Sequence, residues 1–164
     1  MEIDKIFLLK NKMIEFFSND PKRINHFLKV YSFGCLIGES ENLDKETAFI
    51  LEIATLVHDI GIKSSEEKYG SCNGKQQEIE GTSAAKKMLE EIGFDEKIID
   101  RVTFLVGNHH TYSNIVGEDY QILVEADFLV NFYEDEMSID SINECKKRIF
   151  KTKAGIKLCE TMFQ

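Results

Sequence analysis

Four histidines, His26, His58, His109 and His110, all fall in segments of apolar character. Val30 and Phe33 follow His26 at helical spacing, so its ring belongs to an inward stripe. His58 ends the most apolar stretch of the chain, Ile53-Ala54-Thr55-Leu56-Val57, and Asp59 follows at once. His109 continues the stripe of Leu105 and Val106, with His110 beside it. One such histidine is ordinarily a core residue bonded to a neighbour. Four together point to metal chemistry, because imidazole is the commonest neutral metal ligand. Asp127 is more telling. It sits within Leu123-Val124-Glu125-Ala126-Asp127-Phe128-Leu129-Val130, which reads as a buried helix. An unpaired carboxylate there costs several kcal/mol, so it must be paired, protonated or bound to a cation. Arginine partners are scarce, since the chain has only Arg23, Arg101 and Arg148. Adjacent side chains such as His58 and Asp59 diverge by about 100° on a regular helix. They converge on one ion most easily where a helix ends, and Gly61 is expected to end it.

The order His26, then His58-Asp59, then Asp127 resembles the His…His-Asp…Asp signature of the HD superfamily of metal-dependent phosphohydrolases. The segment from Ile53 to Gly61 is similar to that family's central helix end, and the likeness spans roughly residues 21–133. It implies an all-helical fold and one divalent metal held by His26, His58, Asp59 and Asp127. It also implies hydrolysis of a phosphoester or nucleotide. Two-metal members add a histidine after the central loop and a further histidine pair. His109 and His110 match the pair, but Glu80-Gly81 stands where His-Gly is expected. A second metal is therefore less expected than one, and Glu80 reads equally as an acid favoured in a helix's first turn.

Two imidazoles and two carboxylates make a mixed N/O set suited to Mn, Fe, Co, Ni or Zn. Such an ion acidifies water and polarises a phosphoryl oxygen, with Asp59 as both ligand and base. Lys63, four residues beyond Asp59, is a candidate cation for the developing charge. Lys68 and Lys75 are weaker candidates. Glu134-Asp135-Glu136 reads as a solvated helix end.

These residues require helices to position them. Apolar stripes at a helical period occur over 3–17 (Ile3, Ile6, Phe7, Met13, Ile14, Phe17) and from Pro21 to about Gly38. Further helices are expected at 45–58, from near Gly81 to Ile92, after Asp95, at 120–133, and at about 138–150 and 154–162. Asp20, Asp44 and Asp95 serve as N-caps, Pro21 as a first helical residue and Gly93 as a stop. The Gly-, Ser- and Asn-rich stretch 61–80 reads as a loop, and residues 62–79 as a mobile lid over the metal. No segment alternates with period two. The expected architecture is an all-α, irregular multi-helix bundle with the metal between its central helices. It is read as one domain over 1–164, with a motif-bearing core at about 21–133 and C-terminal helices at about 138–162 packed on it.

A net charge of −9 argues against a broad nucleic-acid surface. It leaves room for a small phosphorylated molecule or nucleotide, which needs only local cations. No apolar run is long enough to span a bilayer, and the N-terminus makes a poor secretory signal, so a cytoplasmic location is expected. Cys35, Cys72, Cys145 and Cys159 form no close pair and read as thiols, not a disulfide frame. The alternative to an enzyme is a metal-binding or ligand-sensing module without turnover. A third reading, an interaction protein whose polar residues pair in its core, differs by lacking metal.

Overall fold

The computed structural model describes residues 2–71 and 73–163, with side chains from residue 5 onward. The chain runs α1 (Glu2–Phe16), α2 (Pro21–Ser40), α3 (Lys45–Val57), α4 (Gly61–Tyr69), α5 (Gly74–Ile92), α6 (Glu96–Val106), α7 (Glu118–Glu134), α8 (Ile139–Ile149) and α9 (Lys153–Met162). No strand occurs among the described residues. The fold is all-α, as the periodicity implies.

Local signals set most helix ends. The Asp20 carboxylate accepts the Arg23 N–H and Pro21 opens α2. Asp44 accepts from the Glu46 and Thr47 N–H groups, and Gly93 closes α5 in the left-handed region at φ 85°. On α1 the buried stripe is Ile6, Leu9, Met13 and Phe17, whereas Phe7 and Ile14 face outward.

α3 is the centre of the bundle. Its Leu51, Ile53, Ala54, Leu56 and Val57 are each at most 1% exposed. α2, α6 and α7 pack around it, which is where a helix apolar on nearly all sides must lie. Ile142 and Cys145 of α8, Phe150 just after it and Cys159 of α9 join the same core, with Phe150 stacked on Phe132 of α7.

The stretch 61–80 is not a loop. It forms α4 and the first turns of α5, so the expected lid over 62–79 is corrected to a helix pair. Ser64 and Ser65 lie within α4, and the cap residues are Gly70 and Asn73. Gly70 ends α4 at φ 64°, and Asn73 and Gln76 form a reciprocal capping box at the start of α5. Gly61 also differs from its expected role, because it begins α4 instead of stopping a helix. A Cβ there would lie 2.3 Å from the Gln77 carbonyl and 2.5 Å from the Gly81 nitrogen. Glycine at 61 and 81 lets α5 cross directly over the α3–α4 junction, where the candidate ligands sit. Cys72 lies outside the described residues, and Cys35, Cys145 and Cys159 are free thiols.

Candidate metal centre

His26 comes from the second turn of α2, His58 and Asp59 from the tight turn after α3, and Asp127 from the middle of α7. That turn is held by the Ile60 N–H on the Val57 carbonyl (3.0 Å) and the Ile62 N–H on the Asp59 carbonyl (3.0 Å). These two tight turns carry the chain from α3 into α4 and leave His58 and Asp59 at the junction of the two helices.

The donor atoms converge. His26 Nε2 lies 3.2 Å from His58 Nε2, 3.2 Å from Asp59 Oδ2 and 3.2 Å from Asp127 Oδ1. His58 Nε2 lies 3.4 Å from Asp59 Oδ2 and 3.5 Å from Asp127 Oδ1. Asn131 donates its amide to Asp127 Oδ1 at 3.0 Å.

Each ring is oriented from behind. His58 Nδ1 donates to the Thr55 carbonyl and His109 Nδ1 to the Val106 carbonyl, both at 2.8 Å. His26 Nδ1 donates to Glu134 Oε2 at 3.1 Å. Since carbonyl and carboxylate oxygens only accept, the Nδ1 proton is assigned in all three rings, and each presents the Nε2 lone pair forward. A carbonyl or carboxylate behind a ligating imidazole is the usual support of a metal site.

These lone pairs then face one another and two carboxylates with no proton to share. Either protons or a cation must occupy the gap. Donors held at about 2.0–2.2 Å from one ion stand about 2.9–3.5 Å apart for octahedral to tetrahedral angles, which the separations from His26 and His58 match. The buried Nε2 of His109 has no hydrogen-bond partner and lies 3.4 Å from Asp59 Oδ1, another donor awaiting a cation. The donor set thus fits a divalent metal.

Titration follows the same logic. Burial works against charge on His26, yet hydrogen bonds to Asp127 and Asp59 win and lift it to about 10. His58 rises well above its ordinary value against burial, chiefly through Asp59. Burial alone would raise Asp59 and Asp127, but the facing imidazoles hold both well below the carboxylate range. Without an ion, protons on the rings supply the positive charge the carboxylates demand.

Above the cluster opens a cleft of about 600 Å³, large enough for a small organic phosphate. Its cations are Lys22 and Arg23 of α2. Arg23 is committed to Asp20 and Glu66, whereas the exposed Lys22 has no ion pair among the described residues. Lys63 is placed elsewhere: its ammonium donates to the Phe16 carbonyl at 3.3 Å and lies over the Phe16 ring. The α4 helix turns it towards α1, so its expected catalytic role is corrected. Lys68 pairs with Glu80 at 2.7 Å, and Tyr69 donates to the same carboxylate at 3.2 Å. Glu80 is therefore engaged away from the four donors. His110 does face the cleft, with Nε2 2.9 Å from Gln77 Oε1 and Nδ1 3.4 Å from the Tyr112 hydroxyl. Burial, with His109 beside it, lowers His110 to about 4.

Glu134 reverses the expectation of a solvated acidic end. Only 13% of its side chain is exposed, and it holds His26 from behind. A signal existed, because Asp127, Asn131 and Glu134 recur at spacings of four and three on one face of α7.

An all-helical core wrapped around a His/Asp cluster defines a helical protein with a centre able to hold a divalent ion. Comparison with known families matches residues 23–148 to the HD domain, and the chain belongs to the HD-domain family. Among solved structures it is similar to a crystal structure described as a predicted HD superfamily hydrolase from an uncultured Thermotogales bacterium. The two share 25% identity with a TM-score of 0.66, over 93% of this chain and 82% of that one. No curated protein matches. No helix among the described residues is long and apolar enough to cross a membrane.

Proposed function

We propose that the protein is a metal-dependent hydrolase of a small phosphorylated molecule, working with one divalent transition metal held by His26, His58, Asp59 and Asp127. The observation that carries this reading is that the Nε2 atoms of His26 and His58 lie 3.2–3.5 Å from one another and from a carboxylate oxygen of both Asp59 and Asp127, at the floor of an open cleft. A structural cluster would be sealed, whereas here Asp59 keeps 17% of its side chain exposed to the cleft. When bound, the ion supplies Lewis acidity to a phosphoryl oxygen and lowers the pKa of water.

The chain's own residues do the rest. Glu134, the Thr55 carbonyl and the Val106 carbonyl fix the three rings, so no reorientation is required when substrate arrives. Asp59 directs one oxygen to His26 and His58 and the other to His109, and its exposed edge is the base nearest the cleft. Lys22 brings an uncommitted positive charge to the mouth, where a phosphate dianion would enter.

The test is elemental analysis of the purified protein, followed by phosphate release from a panel of nucleotides and simple phosphomonoesters. About one ion per chain is expected, with turnover lost in Asp127→Ala. Full metal content with no turnover across the panel would favour the ligand-binding alternative.

A further inference from the structure

We infer that the apolar pocket beside the metal cleft is the second half of the substrate site and takes a planar aromatic group carried by the phosphoester. This rests on the phosphohydrolase reading above. The metal cleft itself offers little for an organic group, since Ile62 is the one apolar side chain among its lining residues. It suits a phosphoryl group and leaves the remainder of a substrate uncovered. A neighbouring pocket of about 720 Å³ is more apolar, with Tyr112, Phe128, Met137 and Ile149 on its walls and the exposed Arg148, Asp140 and Glu144 at its rim.

The two spaces adjoin through named residues. His110 lines the cleft, and its Nδ1 lies 3.4 Å from the hydroxyl of Tyr112, which lines the pocket. On α7, Asp127 and Asn131 line the cleft and Phe128 the pocket. Phe128 stands about 60° round the helix from Asn131, so the two faces are contiguous.

The pocket's chemistry selects its occupant. The Tyr112 and Phe128 rings lie 5.1 Å apart at 50°, and Tyr112 remains 40% exposed although it packs on one side. Two inclined rings and a thioether make a surface for a third ring. Arg148 is the distinguishing element. Arg23 and Arg101 are both held in ion pairs, while Arg148 has none among the described residues. A free planar guanidinium at the rim can stack on an aromatic face or bond to its edge.

The experiment compares binding of 1-naphthyl phosphate and glycerol phosphate to metal-loaded protein by calorimetry, with phosphate release measured alongside. Naphthyl phosphate is expected to bind at least about tenfold tighter, the pocket's contribution being read in Kd, since kcat also reflects its better aryloxide leaving group. Ser141→Trp, an exposed rim position whose backbone N–H is the only group used by the Ser138 cap apart from a hydroxyl contact, should plug the pocket. It should erase that preference while leaving metal content and glycerol phosphate binding unchanged. Tyr112→Ala should reduce the preference by the same route and guards against a misfolded plug. Equal affinity for the two phosphates, or a preference untouched by both variants, overturns the inference. Preferential binding without phosphate release upholds the pocket and rejects hydrolysis, so the two failures are distinguishable.

Discussion

Two of the buried carboxylates of helix α7, Glu125 and Asp127, stand two residues apart, and the structure satisfies them in different ways. Glu125 is 0% exposed, yet every contact it makes is with a donor. Its Oε1 accepts the Lys151 N–H at 2.6 Å, the Thr152 N–H at 3.0 Å and the Gln121 amide at 2.7 Å, and its Oε2 accepts the Thr152 hydroxyl. Gly155 is glycine because a Cβ there would meet Glu125 Oε2 at 2.0 Å. Glu125 therefore ties the start of α9 to α7 and requires no ion. Asp127 receives one amide from Asn131 and otherwise faces imidazole nitrogens whose protons are already spent behind the rings. Burial of a carboxylate does not by itself indicate a metal. The count of donors around it does.

The largest separation between the two should appear on truncation. Asp127→Ala is expected to abolish stoichiometric metal binding and the rise in Tm that added metal gives the parent protein. Glu125→Ala is expected to retain the metal while losing about 3–5 kcal/mol of stability, since it strands buried donors at the α8–α9 link. Elemental analysis and denaturant melts read both. Metal loss in the Glu125 variant of a folded protein would show the two sites to be coupled.

Glu134→Gln asks how much the support behind His26 matters. It should keep the site but weaken metal affinity by about 10–100-fold, the range for removing a carboxylate behind a ligating imidazole. Unchanged affinity in a competition titration would return Glu134 to a surface role.

Proton release sharpens the comparison at smaller cost to the molecule. In the metal-free protein His26 titrates at about 10, so it is protonated at pH 7 and must lose its proton to serve as a ligand. Metal binding should release about one proton or more per ion, and affinity should climb as pH rises towards 10. Calorimetry in buffers of differing ionisation enthalpy measures this. The same raised value means that His26 contributes stability to the metal-free fold below its unfolded pKa, lost as pH rises through about 10. Uptake of protons, or none exchanged, would show that His26 is not protonated in the metal-free protein.

The smallest effect belongs to Glu80→Ala, which removes a partner of the exposed Lys68 and of Tyr69. Metal content and affinity should not change. A loss equal to that of Asp127→Ala would place Glu80 among the ligands.

Much of this molecule was legible before folding was considered, wherever the governing physics acts over a few residues. The caps at Asp20 and Asp44, the stop at Gly93 and the apolar wrap of α3 depend on neighbours within one or two helical turns. The His26, His58-Asp59 and Asp127 set was legible for a related reason, because ionisable groups in apolar runs must meet something. What met them was not. Nothing near Lys63 in the chain announces the Phe16 carbonyl, and the face that Glu134 shares with Asp127 and Asn131 does not single out His26, 108 residues away, as its partner. Gly61 misled for the same cause. Glycine signals a bend locally, but here it makes room for a backbone arriving from another helix, a requirement that exists only once α5 has crossed α4.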